Sequence, residues 1–494
     1  MSDFLFHLRA GEPRGLQAEL RRILVSAILD GQLAPGHRLP SCRRLARRLG
    51  VARNTVVLAY QNLIDEGYLI SRERSGYFVN GEILSTRASS APRAARVPER
   101  PADWRRRLRL RPSVQENIVK PGDWQRHPYP FIYGQVDPEL FPLTAWRDCA
   151  RRALARGMVG DWINDRFVED DPMLVEQVRT RALMRRGVRA RDEEILITLG
   201  AQHALYLLAA LLMGPETRVG VEDPGYVDAR NIFRLANARL KPLAVDAGGL
   251  VVGEALAGCD YVYATPSHQS PTTVTMPLER RLALLRRAAE ERFVIIEDDY
   301  EAETNYLAEP TTALKALDDG DRVLYIGSFS KALAPGLRLG YLVGPPELIR
   351  EARLLRRLML RHAPTNNQRT VALFLAGGHY DALIHRLHRS YRARWEAMGV
   401  ALARHLPDWS RLPTFGGTSF WVRGPEGFDA DALARDALAE GIVIEPGALH
   451  FLGPERPANY FRLGLSSVSL DRIEPGIARL AALIRKYLSS NSDR

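Results

Sequence analysis

The stretch Gly327-Ser-Phe-Ser-Lys-Ala-Leu-Ala-Pro-Gly-Leu-Arg338 follows the apolar run Val323-Leu-Tyr-Ile326. That run predicts a buried strand, so the amine of Lys331, directly after it, would be partly desolvated. A desolvated lysine beside other cations has a depressed pKa, as a lysine that forms a Schiff base with an aldehyde requires. The other lysines, at positions 120, 241, 315 and 486, stand in polar, turn-like or terminal contexts. By itself the motif is more often a lysine that caps a surface loop, and the neighbouring motifs reverse that interpretation.

The composition is that of a globular protein with more than one domain. The chain has 494 residues, of which 46% are hydrophobic and 26% charged. No apolar run approaches the roughly 18 residues of a membrane span, and the N-terminus lacks the features of a signal peptide. The three cysteines, at positions 42, 149 and 259, are far apart. They suggest free thiols, and we expect a cytoplasmic protein.

The net charge of +11 is confined to the first quarter of the chain. Residues 1–128 contain 23 Lys and Arg against 12 Asp and Glu, whereas the remainder has 46 of each sign. Such asymmetry indicates a module that binds a polyanion, attached to an electrostatically neutral body.

The basic part begins with the pattern of a winged helix-turn-helix. Apolar residues recur at helical spacing over residues 15–30, 42–49 and 53–66, with glycines at the helix ends. Ser41 is placed to cap the second helix. Two short strands, residues 68–71 and 77–80, surround a basic turn and would form the wing. The outward residues include arginines and an asparagine, which contact guanine and adenine edges; the alternative is a merely solvated basic face.

This part resembles the DNA-binding domain of GntR-type bacterial regulators, over Pro35-Gly-His-Arg-Leu-Pro-Ser-Cys-Arg-Arg-Leu-Ala and Leu49-Gly-Val-Ala-Arg-Asn-Thr-Val. The resemblance covers about residues 11–80. It implies contacts with double-stranded DNA from Arg38, Arg43, Arg53, Asn54 and Thr55, with Gly76 at the tip of the wing. Ala52 stands where the family has Ser or Thr, which removes one possible phosphate contact.

Residues 81–128 are predicted to be a linker, because residues 85–101 are rich in Ser, Ala, Pro and Arg with little apolar periodicity. Within this linker the basic stretch 104–111 has two alternative interpretations, a contact with DNA phosphates or a surface helix docked on the body. Residues 129–494 alternate short β-rich runs with helical stretches. The predicted strands are residues 194–198, 218–222, 261–265, 293–297, 323–326 and 339–343, and the predicted helices include residues 201–213, 278–291 and 346–360. This alternation predicts an α/β body with a mostly parallel sheet and ligands at the carboxyl ends of its strands.

Polar motifs stand at those strand ends. Leu199-Gly-Ala-Gln-His203 opens a helix whose backbone amides suit a phosphate. Glu222-Asp-Pro-Gly-Tyr226 would place an aromatic ring over a flat ligand, and Glu297-Asp-Asp-Tyr300 projects carboxylates and a phenol. Further phosphate ligands flank the lysine, namely Ser328, Ser330 and Arg338. Amine, carboxylate, phenol, aromatic ring and phosphate cradle are together what pyridoxal 5'-phosphate requires.

The body resembles the fold-type I aminotransferases over roughly residues 130–485, a large sheet domain with a small C-terminal α+β domain. The resemblance implies that Lys331 forms the aldimine, Asp298 contacts the pyridine nitrogen and Tyr300 the ring hydroxyl. Tyr226 would stack on the ring, and Arg462, in Tyr460-Phe-Arg-Leu-Gly-Leu-Ser466, would bind an effector carboxylate. It also implies a phosphate site formed by Gly200, Ala201, Gln202, Ser328, Ser330 and Arg338.

One motif differs from that of the aminotransferases and indicates a particular subfamily. Where they commonly have Asn-Pro-Thr-Gly, this chain has Ser270-Pro-Thr-Thr273 within Thr265-Pro-Ser-His-Gln-Ser-Pro-Thr-Thr273. The Thr-Pro-Ser-His-Gln signature is similar to the MocR subfamily of GntR regulators, which fuse a winged helix to an aminotransferase-like body. The resemblance then spans nearly the whole chain.

Three functions follow as hypotheses. The first is a pyridoxal phosphate-dependent transcriptional regulator, acting as a homodimer, that senses the cofactor itself or an amino acid or amine. The second is an active aminotransferase with an accessory DNA-binding module. The third is a DNA-binding regulator whose body only dimerises, and the intact set of lysine, aspartate, tyrosine and arginine argues against it. No metal site is expected, because His385 and His388 share a helical face without an acidic or Cys cluster.

Overall fold

The computed structural model describes residues 15–85, 102–165, 168–307, 311–407, 409 and 416–492. The chain divides into two compact units, Met1–Arg107 and Leu108–Arg494. Across the described residues, no helix is both long and apolar enough to cross a lipid bilayer.

The first unit is a winged helix-turn-helix. Its elements are α1 (Leu16–Leu29), α2 (Cys42–Leu49), α3 (Arg53–Asp65), β1 (Leu69–Arg72) and β2 (Gly76–Val79), followed by the short helices α4 (Glu82–Ser85) and α5 (Trp104–Arg107). As expected, the Ser41 hydroxyl accepts from the Arg44 amide at 3.3 Å, which caps α2. Gly50 ends that helix with a φ of 68°, in the left-handed region that glycine adopts without strain.

The apolar faces predicted from helical spacing form the core of this unit. Leu20, Leu24, Val56, Tyr60 and Leu63 are fully buried between the three helices and the wing. The Tyr60 hydroxyl donates to the Pro40 carbonyl at 3.0 Å, so the turn before α2 is tied to α3. The wing is an antiparallel hairpin in which Leu69 pairs with Val79 and Arg72 pairs with Gly76.

The second unit is built on a mixed sheet. Among the described residues its strands are β4 (Ile195–Thr198), β5 (Arg218–Asp223), β6 (Arg239–Asp246), β7 (Gly249–Leu250), β8 (Tyr261–Ala264), β9 (Val294–Asp299), β10 (Val323–Ser328) and β11 (Gly340–Val343). They are ordered β4-β11-β10-β9-β8-β5-β6-β7. The six predicted strands are present within two residues of their expected bounds, and the sequence patterns did not predict β6 or β7.

Strand directions bring the functional motifs to one edge. Strands β6, β5, β8, β9 and β10 run parallel, whereas β11 is antiparallel to both β10 and β4. Strand β4 therefore runs with the parallel set, and the carboxyl ends of β4, β5, β8, β9 and β10 share one edge. Open α/β sheets bind their ligands at this side, next to the carboxyl ends of the parallel strands.

Helices cover the sheet and continue into a smaller C-terminal part. They are α6 (Leu143–Ala153), α7 (Val159–Ile163), α8 (Pro172–Gln177), α9 (Ala201–Leu212), α10 (Val227–Leu235), α11 (Leu278–Glu291), α12 (Pro346–Leu360), α13 (Thr365–Ala376), α14 (His379–His405), α15 (Ala430–Ala439) and α16 (Leu470–Ser492). The remaining strands are β3 (Tyr129–Pro130), β12 (Ser419–Arg423), β13 (Ile442–Val443), β14 (Glu445–Pro446) and β15 (Tyr460–Gly464), of which β12, β15 and β14 form an antiparallel sheet.

The end of the predicted linker packs against the second unit. Residues 108–128 belong to this unit, whereas the composition predicts a linker that spans residues 81–128. Gln115 Nε2 donates to the Asn231 carbonyl at 3.0 Å, and Asn231 Nδ2 donates to the Glu116 carbonyl at 2.9 Å. The Lys120 ammonium donates to the Tyr133 carbonyl. Composition does not reveal this docking because the side chains involved are polar.

Candidate functional site

A cavity of about 370 Å³ opens at the carboxyl ends of the parallel strands. The structure brings the predicted site residues of the second unit together around it. Those that line it are Ala201, Gln202, Tyr226, Asp298, Tyr300, Ser328, Ser330, Lys331, Arg338 and Arg462. Gly200 lies beside Arg338 at the same corner.

Lys331 follows β10 and presents its amine to the cavity. Its Nζ lies 4.2 Å from the centre of the Tyr133 ring, a cation–π contact. Burial lowers the pKa of Lys331 to about 8, with further lowering by Lys120 and Arg462, although Glu301 opposes the change. About a tenth of the amine is therefore unprotonated at pH 7, more than for an ordinary lysine, and the unprotonated amine is the form that nucleophilic attack requires.

Asp298 lies near the end of β9 and is buried, with 2% of its surface exposed. The Tyr263 hydroxyl donates to its Oδ2 at 2.8 Å, whereas its buried Oδ1 has no hydrogen-bond partner among the described residues. Burial raises the pKa of Asp298 to about 7, and Tyr263 limits that rise. An unpaired buried carboxylate oxygen is costly unless a ligand donates to it.

A corner of the cavity has the features of a phosphate site. Helix α9 begins at Ala201, so backbone amides of its first turn face this corner. Arg338 Nη2 donates to the Leu199 carbonyl at 2.7 Å, which holds the guanidinium there. A Cβ built on Gly200, whose φ is +87°, would lie 3.3 Å from Arg338 Nη2. Ser328 and Ser330 complete the corner.

Tyr226 and Gln202 are both held by Asp228 at the cavity wall. The Tyr226 hydroxyl donates to Asp228 Oδ2 at 3.2 Å, and Gln202 Nε2 donates to the same oxygen at 2.5 Å. These bonds fix the orientation of the Tyr226 ring. Asp228 was not singled out from the sequence, although it lies only two residues beyond the predicted aromatic residue.

Arg462 is buried and paired with a carboxylate that the sequence did not reveal. It lies on β15 directly opposite Glu445 of β14, and its Nε donates to Glu445 Oε1 at 2.8 Å. His450 Nε2 lies 3.5 Å from the same oxygen. Burial by itself would raise the pKa of Glu445, but Arg462, His450 and Lys120 together lower it to about 2. The arginine is therefore neutralised by a carboxylate that stays ionised.

Other residues of the cavity were not assigned a role from the sequence. They are Ile118, Lys120, Tyr133, Asp228, Pro335 and Glu445. Tyr133 lies within Phe131-Ile-Tyr-Gly134, and three cations surround its ring. The Arg462 guanidinium carbon lies 3.9 Å from the ring centre, and the Lys120 amine lies 5.8 Å from it, in addition to Lys331.

The Thr-Pro-Ser-His-Gln signature has a structural role beneath the cavity. Its first and last residues, Thr265 and Gln269, donate to the buried carboxylate of Glu222, with distances of 2.6 Å from Thr265 Oγ1 and 3.1 Å from Gln269 Nε2. Ser270, at the position of the aminotransferase asparagine, lines the cavity. Thr273, at the position of the glycine, has a φ of 66°.

In the first unit, the predicted DNA-contacting residues form an accessible surface. Arg38, Arg43, Arg53 and Asn54 are exposed, and Thr55 is half-buried at the start of α3. Gly76 has a φ of +106°, and a Cβ built there would lie 3.6 Å from Arg38 Nε, which puts that arginine beside the wing.

Sequence and structure comparisons agree with this two-part construction. The family described as bacterial regulatory proteins, gntR family, matches residues 16–79, and aminotransferase class I and II matches residues 175–480. The HTH-type transcriptional regulator TauR of Rhodobacter capsulatus is 44% identical over 97% of this chain and 99% of its own. The probable rhizopine catabolism regulatory protein MocR of Rhizobium meliloti is 30% identical over 97% of this chain and 95% of its own. The chain belongs to the MocR-type GntR regulators.

The solved structure of LysN, an α-aminoadipate aminotransferase from Thermus thermophilus, supports the same assignment for the body of this MocR-type chain. It is 31% identical, with a TM-score of 0.67, and the match covers 73% of this chain and 92% of LysN. LysN was solved in complex with N-(5'-phosphopyridoxyl)-L-leucine. The N-terminal winged helix and the aminotransferase fold predicted from the sequence are thus confirmed.

The residues of this MocR-type chain fit the cofactor on which class I and II aminotransferases depend, pyridoxal phosphate. The unpaired Asp298 Oδ1 is an acceptor for a protonated ring nitrogen. The space over Gly200, where a Cβ would approach Arg338, leaves room for an anion at the start of α9. The weakly basic amine of Lys331 lies in the same cavity.

Proposed function

We propose that this chain is a transcriptional regulator that binds operator DNA through its winged helix and pyridoxal phosphate through Lys331. Its affinity for DNA then depends on the cofactor itself or on an amino compound that reacts with it. The membership in the MocR-type regulators and the location of all excess positive charge in residues 1–128 support the DNA-binding part. A homodimer would present two winged helices to two half-sites.

The observation that carries the cofactor part is the buried, unpaired Oδ1 of Asp298 in the same cavity as the Lys331 amine. A carboxylate oxygen in a buried site costs free energy unless a donor reaches it. A protonated pyridine nitrogen supplies such a donor. A cavity that served only to hold two subunits together would have no need for either group.

The remaining residues bind and orient the cofactor. Arg338, Ser328, Ser330 and the amides at Gly200, Ala201 and Gln202 hold the phosphate. Tyr226 would stack on the ring, and Tyr300 would donate to the ring oxygen. When bound, pyridoxal phosphate supplies an aldehyde that condenses reversibly with primary amines. Lys331 would provide the resident amine for that aldehyde, and an amino compound would compete with Lys331 for it.

An active aminotransferase is the alternative, and two features of the cavity weigh against it. Ser270 replaces the asparagine that also binds the ring oxygen in aminotransferases, so Tyr300 has less help in orienting the ring. Arg462, the residue expected to bind a substrate carboxylate, is already paired with Glu445. An amino acid would have to compete with a buried ion pair for that arginine.

The test is DNA binding by the full chain, stripped of cofactor and then reloaded. The DNA is the segment upstream of the protein's own gene, at a stated salt concentration because phosphate contacts make affinity salt-dependent. We expect specific binding whose affinity or footprint changes on reloading. The visible band of the loaded protein should disappear in Lys331→Ala and persist in Lys241→Ala, whose amine donates to the Ala257 carbonyl outside the cavity.

Three results would contradict the proposal. Specific DNA binding that is identical with and without cofactor would remove the sensing role. Absence of specific binding in both forms, with amino-donor turnover by the loaded protein, would favour the aminotransferase. Persistence of the visible band in Lys331→Ala would show that another residue holds the cofactor.

A further inference from the structure

Three cations face the cavity outside its phosphate corner, namely Lys331, Arg462 and Lys120. Lys331 is committed to the cofactor in the proposed function. The other two differ in whether their charge is available to a ligand. Arg462 lies within a buried ion pair, since Glu445 accepts from both its Nε and its Nη2 and remains ionised.

Removing Glu445 from this pair would be unfavourable for two reasons. The carboxylate has 4% of its surface exposed and lies on the strand next to Arg462, so it cannot turn towards bulk water without moving β14. Breaking a buried pair leaves an uncompensated charge, which is strongly destabilising. An acidic ligand therefore gains little by approaching Arg462, because it also approaches the ionised Glu445.

Among the residues that the structure describes, Lys120 is the cation outside the ion pair and the proposed cofactor link whose donors are not all used. Its ammonium carries three N–H donors, and the Tyr133 carbonyl accepts one of them. A Cβ built on Gly134 would lie 2.5 Å from Lys331 Nζ and 3.8 Å from Lys120 Nζ, so the sum of these distances is an upper limit for the separation of the two amines. A small molecule can therefore reach both positions at once.

Lys120 is also held in place from outside the cavity. The segment that carries it is fixed by Gln115 and Glu116, whose bonds to Asn231 anchor it to α10. Its charge is desolvated, because burial lowers the pKa of Lys120, with Arg462 acting in the same direction and Glu445 opposing. A partly buried ammonium interacts with an anion more strongly than a fully solvated one does.

We propose that Lys120 binds the acidic group of the effector, and that Glu445 prevents Arg462 from doing so. This inference rests on the proposed function. The effector class is then a small amino compound that carries one acidic group, with its amine at the position of Lys331 Nζ and its acid on Lys120. Amines of the same length without an acid bind less tightly, because they leave the Lys120 ammonium desolvated and unpaired.

The experiment compares matched pairs of probes on the cofactor-loaded full chain. Glycine, L-alanine and β-alanine are titrated against ethanolamine, L-alaninol and 3-aminopropanol, and binding is followed by the change in the visible spectrum. The measured quantity is the ratio of affinities of each acid to its alcohol. Effects on the amine chemistry, including any change in the basicity of Lys331, act equally on both members of a pair and cancel.

We expect the wild type to prefer at least one acid over its alcohol by about tenfold or more. Lys120→Ala should bring that ratio close to one, and Lys120→Arg should restore part of it. Lys241→Ala serves as the matched control. The charge-neutral double variant Glu445→Gln/Arg462→Gln should keep the preference, whereas Glu445→Gln alone should increase it because the charge of Arg462 is then no longer offset.

The opposite pattern would refute the inference. If Arg462 binds the acid, the ratio falls to about one in the double variant and is unchanged in Lys120→Ala. A wild type that shows no acid preference for any pair also refutes it. Failure of the proposed function is distinct, because it would appear as a missing visible band or as DNA binding that does not respond to the cofactor, and neither result is read from the ratio of affinities.

Discussion

Replacing Asp298 with asparagine should have opposite effects on cofactor binding and on the stability of the cofactor-free protein. Asn is nearly isosteric and can still accept the hydrogen bond from the Tyr263 hydroxyl, which is 2.8 Å long in the native protein. It carries no negative charge for a protonated ring nitrogen. A charge-assisted hydrogen bond contributes about 1.5–3 kcal/mol, so the affinity for pyridoxal phosphate should fall by roughly 10- to 150-fold.

The stability effect follows from the pKa of Asp298, which burial raises from 3.8 to about 7. Because the folded state binds this proton more tightly than the unfolded state, the folded protein loses stability as the pH rises from about 4 to about 7. A difference of about three pKa units corresponds to about 4 kcal/mol at most. Asp298→Asn removes this loss, so the cofactor-free variant should gain stability over the wild type as the pH rises.

Urea unfolding of the two cofactor-free proteins at pH 5, 6, 7 and 8 measures the effect. The difference in unfolding free energy should grow from pH 5 to pH 7 and then level off. The informative quantity is how the difference in unfolding free energy changes with pH. A difference that is the same at all four pH values reflects only the replacement of a carboxyl group by an amide. A difference that does not change with pH would show that Asp298 ionises normally. Unchanged affinity for the cofactor would show that Asp298 does not contact its ring nitrogen.

Three further predictions use other parts of the structure. Gly134→Ala should abolish or greatly slow cofactor capture, because the new Cβ would lie 2.5 Å from Lys331 Nζ and because Gly134 has a φ of +78°. Gly122→Ala is the control, since a Cβ there meets nothing within 4 Å, and the visible band measures cofactor capture in both variants. The rate of capture should rise with pH to a midpoint near 8, the pKa of Lys331; Lys120→Ala should move the midpoint upwards, since it removes a neighbouring positive charge, and stopped-flow absorbance at several pH values checks this. Arg53→Ala should weaken DNA binding and, if it contacts a phosphate, make the dependence of log affinity on log salt shallower by about one unit, with an unchanged visible band.

The elements of the fold could be predicted from sequence where one periodicity dominated. Helix α2 has its predicted bounds because Ser41 and Gly50 mark its two ends. Strand β10 was found because Val323-Leu-Tyr-Ile326 is continuously apolar and bounded by polar residues. Strand β6 was missed because it is half-exposed near the sheet edge and contains Lys241 and Pro242, so its pattern is neither alternating nor apolar.

The residues of the candidate site could be predicted only where a reactive or polar side chain stands at the end of a recognisable strand. Lys331, Asp298 and Tyr226 each follow or end an apolar run, and that pattern alone indicates that they lie at the edge of the sheet. Glu445 and Arg462 are neighbours only through the register of a two-residue strand, which no local pattern specifies. Lys120 reaches the cavity because its segment docks through single polar contacts, and such contacts leave no periodic signal.

The departure from the aminotransferase motif bears on the proposed sensing role. Thr273 holds a φ of 66°, where a β-branched residue is disfavoured by about 1–2 kcal/mol. Gln269 ties the loop to its surroundings, because the two N–H groups of its Nε2 are shared among a Glu222 carboxylate oxygen, the Pro224 carbonyl and the Ser270 carbonyl. Within this hydrogen-bonded loop, the side chain that lines the cavity, Ser270, offers a short hydroxyl in place of an amide to the proposed cofactor. A site that orients the cofactor ring less firmly favours reversible binding of the cofactor over efficient catalytic turnover. Catalysis depends on donors that are aligned with the reacting group. Sensing depends only on a difference in affinity between two states of the protein.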